Sequence, residues 1–512
     1  MSQVPAIRGE HISFRYLEQG TRILEDVSIT IPREKITVLM GSSGCGKSTL
    51  ASVLCGLFPE NGGVLESGEI YLCGDFITNL SVRDRAKRIS MMFQNPDLQF
   101  CMATLREELY FCMENYCISP NEMEEKAIEA AKIMGTNHLL DQNIYSLSGG
   151  EKQRALLTCI YLMDAECIFL DEPFANLDPD GVQDLMGLLK DLCCKHKKTI
   201  IAIDHMSDHW QGIADRFVIL KKKGQVLCEI EDPRDLPSYQ ALFLKEGIAY
   251  PGIWKKKEIT LQEESKAILS FKNFSLPRIP EKTKKSSFLF FQKKKEIKKK
   301  TDYLLEDTTF HIPEGRISAI LGKSGSGKSS LLMTLLKQRS YQGSILLTCK
   351  DLPKEYQTLS QKECFKHLSI AFQNPSNQFV SQNVMEEVSD GLRRLYPKKD
   401  KDEISSLSLK LLKTCKLEDY QNYSPYMLSQ GQQRRLAVLS VLSGGQKILL
   451  LDEPTYGQDY RSAKALMDQV SKEVLENKIT VLMTTHDRGL AAAYADHIFV
   501  LKDKKIKEVS KQ

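Results

Sequence analysis

Gly41-Ser42-Ser43-Gly44-Cys45-Gly46-Lys47-Ser48 and, later in the chain, Gly322-Lys323-Ser324-Gly325-Ser326-Gly327-Lys328-Ser329 both follow the pattern G-x-x-x-x-G-K-[ST] of a phosphate-cradling loop. Each is preceded by a short apolar run, Ile36 to Met40 and Ile317 to Leu321, and followed by a helix-like stretch opening at Thr49 and Ser330. Strand, loop, helix is the context the motif requires. Glycines let backbone N–H groups approach phosphate oxygens, the helix turns its positive end toward them, and Lys47 or Lys328 neutralises the β- and γ-phosphates. Ser48 and Ser329 offer a hydroxyl to Mg²⁺.

Placed in register, the two loops lie 281 residues apart, and the same offset recurs downstream. Leu147-Ser148-Gly149-Gly150-Glu151 meets Leu428-Ser429-Gln430-Gly431-Gln432; Asp171-Glu172-Pro meets Asp452-Glu453-Pro; His205 meets His486. The Phe-Gln-Asn-Pro stretches around Gln94 and Gln373 are 279 apart. The chain therefore reads as a tandem duplication. Its 512 residues suit two domains, 1–233 and 268–512, joined by a connection at 234–267.

Composition narrows the class. A net charge of +4 supplies no global field for nucleic acid. The 14 cysteines include no C-x-x-C pair and no metal-ligand spacing, a pattern suited to a reducing compartment. No signal-peptide layout and no apolar run near 18 residues is present, so the chain is expected not to cross a membrane by itself.

Within each half, short strand patterns come first, then helices (residues 104–140 in the first), then buried strands alternating with helices up to His205 or His486. Buried strands with intervening helices mean a mostly parallel sheet covered on both faces, with the helical block as an insertion. One stretch breaks the symmetry. A basic insertion within about 279–302 carries nine lysines over 282–300 around Phe288-Leu-Phe-Phe291. It reads as a solvated loop or, more sharply, as a patch for an anionic membrane face.

A carboxylate ending a buried strand, Asp171 or Asp452, is placed to hold Mg²⁺ through water, and the following Glu172 or Glu453 to orient or deprotonate the attacking water. The bland alternative is a pair of carboxylates capping the next turn, which the accompanying phosphate loop disfavours. His205 and His486, each at the end of an apolar run, are read as γ-phosphate contacts rather than structural histidines. Ser148 with Glu151 could be a plain capping box. Glycines just inside a helix start are costly, however, and make better sense where backbone must approach an anion. One half then carries more anion-binding elements than one nucleotide needs.

The ordered set of phosphate loop, Gln, Leu-Ser-Gly-Gly, Leu-Asp-Glu-Pro and His resembles the nucleotide-binding domain of ABC ATPases across both halves. The resemblance implies an α/β fold of two tandem domains, each a mostly parallel core sheet with an antiparallel β subdomain and an inserted helical subdomain. It further implies ATP hydrolysis with Mg²⁺ and intramolecular head-to-tail pairing, in which Lys47 shares a site with Ser429 and Lys328 with Ser148. Tyr16 matches the aromatic that stacks on adenine, and Gln94 and Gln373 match residues that sense Mg²⁺ and the transport partner. Phe93-Gln-Asn-Pro-Asp-Leu-Gln99, Phe372-Gln-Asn-Pro-Ser-Asn-Gln378 and Leu451-Asp-Glu-Pro-Thr-Tyr-Gly-Gln-Asp459 resemble the ATPases of energy-coupling factor (ECF) transporters. Those importers take up vitamins or transition-metal ions through a membrane T component and a substrate-binding S component, with the ATPases peripheral on the cytoplasmic face of a prokaryotic cell membrane.

Two departures imply unequal sites. Gln430 stands where the second signature should have its first glycine, crowding the phosphate of the site with Lys47. Arg278 or a neighbour falls where Tyr16 sits in the first half. The site of Lys328, Glu453 and Ser148 is expected to turn over faster. Cys45 reads as a small filler whose alkylation, if it were accessible, would block the first site. The competing readings are a sugar-type importer ATPase, whose second phosphate loop is usually degraded, and a soluble tandem protein acting on ribosomes, which would need an N-terminal cysteine cluster or a long helical linker.

Overall fold

The computed structural model describes residues 4–174, 177, 179–250, 252–255, 266–278, 302–323, 325–349 and 352–509. The basic insertion at 282–300 and Ser324 lie outside the described residues. The chain divides into two compact units, Met1–Pro251 with Gly457–Arg461, and Gly252–Tyr456 with Ser462–Gln512.

In the first unit the strand Ile36–Gly41, buried along its whole length, lies between Thr199–Asp204 and Arg216–Leu220 and pairs with both in parallel. Cys167–Asp171 and then Ile89–Met92 extend the sheet in parallel, and Val226–Ile230 closes the other edge antiparallel. The four central strands, Ile36–Gly41, Thr199–Asp204, Arg216–Leu220 and Cys167–Asp171, are buried throughout because both faces of the sheet are covered there. Ile36, Val38 and Met40 pack into one core with the helices, while Leu39 faces a second core beneath an antiparallel sheet. That second sheet runs Leu24–Ile31, Ile7–Arg15, Val64–Leu72, Asp75–Phe76.

Helices Leu105–Asn115, Pro120–Ile133 and Gly149–Leu162 lie between the strands Ile89–Met92 and Cys167–Asp171, which makes them an insertion into the sheet's chain order. Thr104 and Glu107 start the first by a reciprocal capping box, and Pro120 opens the second at a position where its missing N–H costs nothing. The second unit repeats the plan. Its core sheet runs Leu368–Ala371, Ile448–Asp452, Thr480–Thr485, Ile317–Gly322, His497–Lys502, Lys505–Val509. Its antiparallel sheet is built on Ala267–Pro277. No described helix is long and apolar enough to cross a membrane.

The segment 234–267, expected to be a bare connection, carries structure in its first part. A 3-10 turn, Pro233–Tyr239, leads into the helix Gln240–Glu246, and Leu236, Phe243 and Ile248 enter the core of the first unit. A seven-residue helix with one buried aromatic is too short for a periodic signal, so burial rather than pattern marks it. Phe243 is 1% exposed. Phe243→Ala is expected to destabilise the first unit by roughly 3–5 kcal/mol, read as a lower denaturant midpoint for the transition followed by Trp210 fluorescence.

Candidate functional site

Both phosphate loops leave their strand and enter helices Lys47–Leu54 and Lys328–Leu335 through a left-handed glycine, Gly46 at φ 106° and Gly327 at φ 110°. A side chain there would be strained in any packing. At the strand end a Cβ on Gly41 would lie 2.6 Å from the carbonyl oxygen of Leu220. The lysines fold back on their own loops. Lys47 Nζ donates to the carbonyls of Gly41 (2.8 Å) and Ser42 (3.0 Å), and Lys328 Nζ to those of Gly322 (2.7 Å) and Lys323 (3.0 Å). Each lysine is thereby buried with two of its ammonium donors held by the carbonyls of its own loop. Ser42, Ser43 and Gly44 lie in the first loop and Thr49 in the helix after it; Gly325 and Ser326 lie in the second loop and Ser330 in the helix after it. Cys45 is 1% exposed and burial pushes its thiol up, so thiol reagents are not expected to reach it.

The aspartates end their strands beside these loops. Burial pushes Asp171 up to about 6, with the charge of Glu172 adding to the rise and its hydrogen bond with Ser48 opposing it. Burial raises Asp452 as well, against hydrogen bonds from Thr484 Oγ1 (2.5 Å) and Ser329. A buried carboxylate beside a hydroxyl is an all-oxygen donor set, and one that is costly to ionise alone suits a hard cation such as Mg²⁺. Among the described residues, no group of three or more His, Cys, Asp or Glu could cage a metal.

The sign of the Asp171 shift sets a pH dependence. A carboxyl raised from 3.8 to about 6 binds its proton more tightly in the folded state, so its ionisation subtracts stability as pH rises through that window. In chelator, Asp171→Asn should gain stability over the parent between pH 4 and 6, by on the order of 3 kcal/mol at pH 7. Denaturant midpoints of the two proteins against pH check this, and Mg²⁺ with nucleotide should narrow the gap.

Glu172 and Glu453 each stand in the left-handed region, φ 49°, a conformation that costs a non-glycine residue about 1 kcal/mol or more. It is held by backbone bonds, Glu172 N–H to Ile203 (2.9 Å) and Glu453 N–H to Thr484 (3.1 Å). The histidines come to these glutamates from the neighbouring strand ends, but with opposite ring edges. His205 Nε2 donates to Glu172 at 2.6 Å, whereas His486 Nδ1 donates to Glu453 at 3.0 Å. The side chain of His205 is 12% exposed and that of His486 is 48% exposed. Burial would raise both glutamates, yet both are held below the ordinary range, Glu172 by His205, Lys47 and Gln94, and Glu453 by His486 and Lys328. Burial lowers His486, but Glu453 and Asp487 outweigh it and raise the imidazole.

Gln94 Nε2 donates to Glu172 at 2.6 Å. Gln373 takes part differently, its carbonyl accepting from Arg434 at 2.7 Å. Tyr16 is brought to the first loop, its hydroxyl 2.8 Å from that of Thr49 and its ring edge-on to Phe14 and Phe58. At the register of Tyr16 the second unit has Arg278, ion-paired with Asp302 at 2.9 Å.

Ser148 and Ser429 cap the helices Gly149–Leu162 and Gln430–Ser443, with Glu151 and Gln432 returning bonds of 2.8 and 2.9 Å to the serine N–H groups. A Cβ on Gly150 would lie 2.9 Å from the end of the Leu177 side chain, which would have to shift to admit it. Gly149 and Gln430 occupy the exposed first helical position, while Gly431 is buried. Sequence reasoning missed Thr484, which binds both Asp452 and the N–H of Glu453, and Asp204, which accepts from Trp210 Nε1 at 2.8 Å and from the N–H groups of His205 and Met206. The Asp204-His205 step against Thr485-His486 was the available sign that the two histidine loops are held differently.

A family model described as ABC transporter matches residues 24–175 and 305–456. The YkoD protein of Bacillus subtilis (strain 168), named for HMP/thiamine import as an ATP-binding protein, is 34% identical over 96% of this chain and 89% of its own length. A Methanosarcina acetivorans protein named as an ABC transporter ATP-binding protein is 32% identical over 98% of this chain and 85% of its own. A solved structure of ribosome-bound archaeal Pelota and ABCE1 aligns with a TM-score of 0.67 over 98% of this chain and 78% of that one, at 17% identity, which is a likeness of fold.

Proposed function

The chain belongs to the ABC transporter ATPases, and from that premise we propose that it is the fused ATPase pair of an ECF-type importer of a vitamin or transition-metal ion. The observation that carries this reading is the end-to-end similarity to a protein named for HMP/thiamine import. Apolar side chains exposed around the two glutamine segments add to it: Phe93 and Leu98 in the first unit, Val380, Tyr426 and Met427 in the second. Such residues are expected where separate membrane T and S components work through the ATPase.

In this reading Lys47 and Lys328 neutralise the β- and γ-phosphates, and the loop N–H groups orient them. Glu172 and Glu453, kept ionised by their neighbours, align and deprotonate the attacking water. His205 and His486 hold those carboxylates and stand ready to contact the γ-phosphate. Ser48, Gln94 and Asp171, with Ser329, Gln373 and Asp452, would hold Mg²⁺, which when bound offsets charge on the phosphate oxygens. Tyr16 stacks on adenine.

Purification of the tagged chain from detergent-solubilised membranes tests the reading. Co-purification of two small hydrophobic proteins supports it, and recovery of ribosomal proteins in their place overturns it.

A further inference from the structure

Arg434 lies in the second unit on the helix Gln430–Ser443, five residues after Ser429, and is 6% exposed. Its guanidinium reaches two other segments of the same unit. One arm donates to the carbonyl of Gln373 at 2.7 Å, the other to the carbonyl of Tyr456, and the group lies over the Tyr456 ring at 4.7 Å from its centre. Tyr456 in turn donates its N–H to the carbonyl of Glu453 at 3.2 Å. An unbroken path therefore runs from the glutamine segment through Arg434 to the turn that carries Glu453.

The same register in the first unit holds Gln153. One contact between the serine-led helix and the glutamine segment is kept in kind across the repeat: Lys152 pairs with Asp97 at 2.6 Å, and Gln433 bonds Ser376 at 3.0 Å. The arginine is an addition to that contact. A planar, permanently charged fork can serve two carbonyls and a ring face together, which an amide at the position of Gln153 cannot.

Glu172 has the same left-handed conformation without an arginine at this register, so backbone bonds hold that conformation and what Arg434 adds is a tie between the turn after Glu453 and the glutamine segment. We infer that Arg434 is a positioning residue for Glu453, fixing the Glu453–Tyr456 turn against the Gln373 segment so that the carboxylate is presented to water. The inference rests on Glu453 acting in hydrolysis, as proposed above.

The test uses the full-length chain, with ATPase kinetics and melting temperature measured together for Arg434→Gln, Arg434→Lys, Tyr456→Leu and Glu453→Gln. Arg434→Gln is expected to lower kcat about ten-fold with KM for ATP changed less than about two-fold, the pattern of an interaction needed in the transition state. Arg434→Lys, which keeps the charge over the ring and one donor, should recover part of the loss. Tyr456→Leu should lower kcat similarly, and combining it with Arg434→Gln should add little, because the two act as one unit. Unchanged kcat in Arg434→Gln, with turnover lost in Glu453→Gln, overturns the arginine's role while leaving the glutamate's intact. So does a loss in which KM rises and melting temperature falls in step with kcat and the lysine recovers nothing. Turnover kept in Glu453→Gln overturns the inference and the hydrolytic assignment together.

Discussion

Glu453→Gln is expected to reduce ATP turnover by about a hundred-fold or more, and Glu172→Gln by less than about two-fold. The ranking follows from how each carboxylate is engaged. Both oxygens of Glu172 are bound at 2.6 Å, one by His205 and the other by Gln94. Glu453 meets His486 at 3.0 Å and Lys328 at 3.9 Å. A carboxylate in two short charge-assisted bonds must give one up before it can take a proton from water, and each such bond is worth roughly 1.5–3 kcal/mol. Steady-state phosphate release from the two single variants is the check. Abolition by Glu172→Gln with near-normal turnover in Glu453→Gln would reverse the order of the sites.

Lys328→Ala should halve the number of ATP-analogue molecules bound per chain, from two to one, in calorimetric titration. It should also lower stability before any nucleotide is added. The ammonium is bonded to the carbonyls of Gly322 and Lys323, and alanine leaves both without that donor in a loop packed at the strand end. Loss of such a charged bond is worth about 2 kcal/mol. A melting temperature unchanged without nucleotide would show that the clasp adds nothing to the loop, and two equivalents still bound would remove Lys328 from the site.

Much of the architecture was legible because its signals are local. Two loops of one pattern at a fixed offset, each after an apolar run, specify strand, turn and helix without reference to the rest of the chain. Ser148 with Glu151 marks a helix start the same way. The short helix Gln240–Glu246 was not legible, since a single buried Phe243 has no period. The opposite ring edges used by His205 and His486 were not legible either. A histidine's letter is the same in both halves, and the ring edge that meets the glutamate follows from how the folded strand end places the ring.

By itself the sequence determined the duplication, the strand, loop and helix around each phosphate loop, and the residue types in its motifs, because spacing and apolar runs are properties of adjacent residues. Only the tertiary structure decided which side chains of the repeats are equivalent in action. The glutamine beside Glu172 binds it through its side chain, while its counterpart binds Arg434 through its carbonyl. That difference arises from residues far apart in the chain and close in space, where packing and burial choose among partners the sequence leaves open.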